Sequence, residues 1–236
     1  MNFTTAGESC ALEYAVAALR EKGWRYLENA DVILLPVPSL DADGSIKGGG
    51  SIDALPRDSL IIGGNLDSVK NHKKLDLLKN PLYLSENASI TAHCAIREAM
   101  SRLPITLNEC PILVIGWGRI GKCLVRLLRL LGANVAVAAR KESDRALIAA
   151  LGYTALDPAA EMDLSQFRLI YNTADAPVLP MEKQLDCRAD CLKIDLASHR
   201  GIDGEDVVWA RGLPNKYAPE SSGKLIAQIV VKELGA

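Results

Sequence analysis

The stretch from Leu113 to Arg140, LVIGWGRIGKCLVRLLRLLGANVAVAAR, constrains the fold more than any other part of the chain. An apolar run at 112–115 enters a turn of the form G-x-G-x-x-G, Gly116-Trp-Gly-Arg-Ile-Gly121. A long amphipathic segment, 120–131, follows, and a second apolar run, 135–139, lies beyond Gly132. Strand, glycine turn, helix and strand is the order in which this motif has a physical purpose. Gly116 permits the tight turn, Gly118 lets the backbone approach a pyrophosphate, and Gly121 lets helix and strand pack closely. The helix start at Arg119 and Ile120 offers amide donors and a partial positive charge to phosphates. The same string in a plain βαβ crossover, with small residues at a crowded turn, would bind nothing, and that alternative stays open here.

The end of the second strand bears on which dinucleotide is expected. An NAD site usually places Asp or Glu about 20 residues past the glycines, to accept from the ribose hydroxyls. Here NVAVAA ends at Arg140, followed by Lys141, Glu142 and Ser143. Two cations and a hydroxyl suit a 2′-phosphate, so NADP is expected ahead of NAD. The alternative has Arg140 stacking on adenine or solvated while Glu142 meets the ribose.

Apolar runs alternate with amphipathic stretches over most of the 236 residues, which predicts an α/β protein built on parallel sheets. Helices are expected at 9–22, 87–103, 144–151 and 219–234, and strands at 31–35, 59–64, 112–115, 135–139, 169–172, 192–196 and 207–209. The helix from residue 87 reads as a bridge, dividing an N-terminal flavodoxin- or Rossmann-like lobe (1–86) from a nucleotide-binding Rossmann domain (105–218). The final helix, 219–236, can pack on either lobe. A net charge of −2 argues against a nucleic-acid partner. No run approaches the ~18 apolar residues of a membrane span, and the N-terminus lacks a secretory pattern, so a cytoplasmic protein is expected. Six scattered cysteines without a CxxC pair, and three histidines away from them, predict free thiols and no metal.

Ligands in such sheets lie beyond the carboxyl ends of the strands. Tyr171-Asn-Thr-Ala-Asp175 and Asp195-Leu-Ala-Ser-His-Arg-Gly201 follow two strands and are expected near the nicotinamide end, with Asn172, Thr173, Asp195 and Ala197 beside the cofactor. Fixing its own turn is a rival role for Asp195. Arg200 is suited to hold a substrate carboxylate in bidentate fashion, with Ser198 next to it. His199 is the best-placed acid/base, against the alternative of an exposed loop histidine. Thr91 and His93, on the bridging helix, and Ser221 and Ser222, in the first turn of the last helix, are candidates for substrate contact. His72, in the polar run KNHKK, reads as solvated.

Four stretches carry a resemblance to the A-subunit family of dipicolinate synthase. They are Thr91-Ala92 opening a helix, VIGWGRIGKCLVRLLRLLGANVAVAAR, Asp195-Leu-Ala-Ser198, and Gly212-Leu-Pro214 with Ala218-Pro219. The resemblance implies two Rossmann-like lobes related to the D-2-hydroxyacid dehydrogenases, with a nicotinamide cofactor in the interlobe cleft. It also implies oxidation of a dihydrodipicolinate-type intermediate, a small dicarboxylate, to pyridine-2,6-dicarboxylate in sporulating cells, together with a flavoprotein-like B subunit. Homo-oligomer formation stays open. Departures are visible as well. Where the family opens with a strand and a Gly-Gly-Asp turn, this chain has only Thr4-Thr-Ala-Gly-Glu8, so the N-terminal lobe is expected to be shortened by a strand–helix unit. His93-Cys94 replaces Glu-Gly, Ala174-Asp175 replaces Ile-Pro, and His199 intervenes before Arg200. These changes motivate two alternatives, a cofactor-binding regulatory or scaffold subunit without catalysis and a 2-hydroxyacid reductase. The latter would require a Glu…His pair that the sequence does not display.

Overall fold

The computed structural model describes residues 1–235. In chain order the elements are β1 (Asn2–Thr5), α1 (Cys10–Glu21), β2 (Arg25–Tyr26), β3 (Val32–Leu34), β4 (Leu60–Gly63), β5 (Lys73–Asp76) and α2 (Pro81–Met100). The second half continues with β6 (Pro111–Ile115), α3 (Arg119–Leu130), β7 (Asn134–Ala138), α4 (Glu142–Ala150), β8 (Thr154–Leu156), β9 (Leu169–Asn172), β10 (Leu192–Asp195) and β11 (Val207–Trp209). Two helices, α5 (Leu213–Tyr217) and α6 (Pro219–Leu234), end the chain. Residues 1–90 with 214–236 form one compact unit and 91–213 another.

Every strand pairing is parallel. The first unit holds five strands in the order β2-β1-β3-β4-β5, a flavodoxin-like arrangement. Its central strand shows the two-residue period directly. Ile33 and Leu35 join Ile46, Ile61 and Leu66 on one face, while Val32 and Leu34 join Phe3, Leu12, Leu19 and Trp24 on the other. The second face also takes the apolar stripe of α6, Leu225, Ile226, Ile229 and Val230, spaced at i, i+1, i+4 and i+5. Each such buried side chain contributes roughly 1.5–3 kcal/mol. Helix α1 is started by Ser9, whose Oγ accepts from the Leu12 amide at 3.2 Å.

An opening strand is present where none was expected. Thr4 and Thr5 pair with Ile33 and Leu34, so β1 sits inside the sheet and leads into α1, the helix expected at 9–22. The polar run around His72 is likewise not a solvated loop. Lys73–Asp76 forms the edge strand β5, and His72 is half-buried with Nε2 3.3 Å from the Leu55 carbonyl. Helix α2 begins six residues earlier than its periodicity suggests, because Asn80 Oδ1 accepts from the Leu82 and Tyr83 amides, both at 3.0 Å, and Pro81 fits the first helical turn.

The second unit holds six strands in the order β11-β10-β9-β6-β7-β8, the arrangement of a dinucleotide-binding sheet, with its order reversing between β6 and β9. Register aligns Ile115 with both Ala138 and Asn172, and Asn172 with Asp195. The strand ends therefore form one row, and the loops beginning at Gly116, Ala139, Thr173 and Leu196 leave from the same edge. Helix α3 packs Gly121, Leu124, Val125 and Leu128 inward, at i, i+3, i+4 and i+7.

Candidate nucleotide-binding site

At that edge the second unit has a cleft of about 630 Å³, lined by Gly116–Gly118, Ala138–Lys141, Asp144, Asp157–Ala159, Thr173–Val178 and Lys183. The three motif glycines have distinct reasons to be glycine. Gly116 has φ +109°, and a Cβ there would lie 2.5 Å from Thr173 Oγ1. A Cβ on Gly121 would lie 2.3 Å from the Gly116 carbonyl oxygen and 3.0 Å from Thr173 Oγ1. Gly118 has nothing within 4 Å of that position, so its side opens onto free space. Gly118 is also the N-cap of α3, and no side chain caps the helix. The first-turn amides of Arg119, Ile120 and Gly121 are the donors that an anion at this mouth would use. Trp117 adds an indole Nε1 that is buried without a partner, on a ring 5.7 Å from Lys122 Nζ. The open face of Gly118 and the uncapped helix fit a dinucleotide pyrophosphate.

The end of β7 is braced by a residue that no sequence signal marks. Arg145 Nη1 donates to the carbonyls of Ala139 at 2.9 Å and Arg140 at 2.7 Å, and Nη2 pairs with Asp157 at 2.9 Å. This leaves the exposed side chains of Arg140 and Lys141 at the rim of the cleft, with exposed Ser143 in the first turn of α4. Glu142 and Asp144 occupy the same turn.

The loops after β9 and β10 divide into residues that build and residues that face outward. Asn172 is fully buried. Its Nδ2 donates to Asp195 Oδ1 (2.9 Å) and the Ala174 carbonyl (3.0 Å), and its Oδ1 accepts from the Ala174 amide (2.9 Å). Asp195, also fully buried, accepts from the Ala197 amide at 3.0 Å and, through Oδ2, from the Gly201 and Ile202 amides at 2.7 and 2.9 Å. Ala197 is buried, and its carbonyl accepts from Trp209 Nε1 at 3.1 Å. Asn172, Asp195 and Ala197, expected beside the cofactor, thus have side chains inside the fold, where they set the shape of the loops. Thr173 is the member of this group that lines the cleft, with Oγ1 donating to the Ile115 carbonyl at 3.1 Å.

Ser198, His199 and Arg200 are exposed. The Arg200 guanidinium, expected to clamp a carboxylate, is turned to the Gly204 and Val207 carbonyls through Nη2, at 3.1 and 3.4 Å. His199 pairs with Asp175, which lies in the stretch expected at the nicotinamide end but was given no role of its own from the sequence. Asp175 Oδ1 accepts from the His199 backbone amide at 2.8 Å and lies 2.9 Å from its Nδ1. Those two contacts, the amide first and the ring second, hold the Asp175 carboxyl below its ordinary range. On α2, Thr91 is buried and His93 exposed. Ser221 and Ser222 belong to the other unit; Ser221 is exposed, and Ser222 is buried with an unpartnered Oγ. Among the described residues no group of three or more His, Cys, Asp or Glu is placed to hold a metal ion, and no helix is long and apolar enough to cross a membrane.

No protein-family model matches the chain. The A subunit of dipicolinate synthase from Bacillus subtilis (strain 168) is 25% identical over 234 aligned residues, covering 88% of this chain and 78% of that protein. The crystal structure of the dipicolinate synthase A subunit from Bacillus halodurans superposes with a TM-score of 0.83 at 21% identity, over 100% of this chain and 98% of the other. A transhydrogenase from Sinorhizobium meliloti shares the fold with a TM-score of 0.77 at 17% identity, over 99% of this chain and 93% of that one. In its sequence this chain is similar to the A subunit of dipicolinate synthase, and its two parallel α/β units have the fold of that protein's crystal structures.

Proposed function

We propose that the chain is an NADP-dependent oxidoreductase of the same type as the dipicolinate synthase A subunit. Its substrate would be a dihydrodipicolinate-type dicarboxylate, oxidised to dipicolinate in partnership with a flavoprotein-like B subunit. The observation that carries the reading is the uncapped start of α3, where Gly118 opens onto the cleft and the amides of Arg119, Ile120 and Gly121 can take a pyrophosphate. Arg140, Lys141 and Ser143 support a 2′-phosphate at the far end, where Arg145 neutralises the nearby Asp157.

The bound nicotinamide supplies hydride acceptance, and the protein supplies placement and charge. Thr173 lines the cleft on the row of strand ends, where a nicotinamide would lie against it. His199 takes the proton released as the substrate ring becomes aromatic. Ser198 and the remaining guanidinium donors of Arg200 face the carboxylates of the substrate. The test is turnover of a dihydrodipicolinate-type substrate with NADP, alone and with a B subunit from a relative. Reduction of the nucleotide is the expected result, and its absence in both arms would remove the enzymatic reading.

Glu142 and Asp144 on the first turn of α4 favour a second reading of the cofactor alone. A ribose without the phosphate would donate to one of these carboxylates, making the site specific for NAD.

A further inference from the structure

The loops after β9 and β10 meet at a single oxygen. Asp175 Oδ1 receives the His199 backbone amide at 2.8 Å and faces the ring Nδ1 of the same residue at 2.9 Å, although the two residues lie 24 positions apart. The first contact fixes where the histidine backbone stands, and the second fixes the rotation of the ring. An ionised carboxylate can only accept hydrogen bonds, so the Nδ1 that faces it must carry the proton. In a neutral imidazole that leaves Nε2 with the lone pair. Asp175 itself lines the cleft that begins at Gly116 and Thr173.

We propose that Asp175 is a positioning residue that holds His199 in the Nδ1–H form, presenting Nε2 as the proton acceptor of the oxidation. The role rests on the oxidoreductase reading given above. In the oxidation a C–H bond of the substrate would break with its electron pair leaving as hydride, and a bound oxidised nicotinamide would supply the acceptor. A proton leaves the substrate ring for Nε2, and the pair of electrons it releases completes the aromatic ring. The imidazolium so formed donates Nδ1–H to Asp175, whose negative charge offsets the new positive one. The pair is open to solvent, with side chains 85% and 55% exposed. As an exposed hydrogen-bonded pair it contributes little to stability; its consequence is the location of a proton.

The test is the tautomer of His199 by long-range proton–nitrogen correlation on protein labelled at its three histidines, with His199→Gln used to assign the signal. In the unaltered protein the neutral ring is expected to be mainly Nδ1–H. In Asp175→Ala it should revert to mainly Nε2–H, with the melting temperature unchanged. The same variant should lose about a hundredfold in kcat, the low end of a general-base contribution. An Nε2–H ring in the unaltered protein, the same tautomer with and without Asp175, or an unchanged kcat would each overturn the proposal. An unaltered protein without turnover would overturn the reading on which the role rests, and the position of the proton on the ring is read in either case.

Discussion

Gly121, in the first turn of α3, lies against the Gly116 carbonyl so closely that an added Cβ would be 2.3 Å from that oxygen, while Gly118 has open space at the equivalent point. The two positions therefore separate folding from binding. Gly121→Ala should push α3 off the strand end and lower stability by about 1–3 kcal/mol, as overpacking does. Gly118→Ala should lose no more than a helix-cap difference of about 1 kcal/mol, yet its methyl group would stand where a pyrophosphate must approach. Melting curves with and without a dinucleotide check both. Gly121→Ala lowers the melting temperature itself, and Gly118→Ala removes the ligand-induced rise.

Asp195 ties together Asn172, Ala197, Gly201 and Ile202 through one buried carboxylate. Replacing it with Ala strands four buried donors, each costing about 1–3 kcal/mol when left unmade. Allowing for relaxation, Asp195→Ala should lose roughly 3 kcal/mol or more, measured by denaturant unfolding. A loss under 1 kcal/mol would show that the loop is not built on this residue.

Thiol chemistry gives a pH-dependent check on the second unit. Burial pushes the Cys191 thiol up to about 12, and burial also raises Cys94 and Cys110, whereas Cys10 is exposed. A raised pKa leaves the protonated, unreactive form dominant below that value. At pH 8 an alkylating reagent should label Cys10 first and leave Cys191 unmodified until the protein is unfolded, read by peptide mass spectrometry.

Arg140 is the residue on which the proposed preference for NADP rests. Loss of one charge-assisted hydrogen bond costs about 1.5–3 kcal/mol. Arg140→Ala should therefore weaken NADPH roughly ten- to a hundredfold and leave NADH unchanged, as measured by calorimetric titration. Equal weakening of both would place Arg140 on the adenine, and no change in either would leave it solvated.

What the sequence revealed depended on how local each signal was. The β6–α3–β7 crossover was legible because two apolar runs, three glycines and a helical stripe at Gly121, Leu124, Val125 and Leu128 all lie within thirty residues. Strand β1 was not, since NFTT is short, has three polar residues out of four, and is held by pairing with β3, more than 25 residues away. Edge strand β5, KKLD, has an exposed first half and carries no apolar pattern. The start of α2 was readable in principle, from Asn80 followed by Pro81. The Asp175–His199 pair had no local signal at all, because its two halves come from different loops. Asp195 shows the reverse difficulty. Its residue type and place at a strand end suggest chemistry, and only its full burial reveals that it binds its own loop.

The most direct measurement of the central claim is the melting temperature of the protein with NADPH and with NADH at equal concentration. A ligand that binds only the folded chain at a hundred times its Kd adds about 2.7 kcal/mol of stability. The account predicts a rise with both nucleotides and a larger one with NADPH, abolished in Gly118→Ala. No rise with either nucleotide would contradict the assignment of the Gly116–Gly121 turn as a dinucleotide cradle.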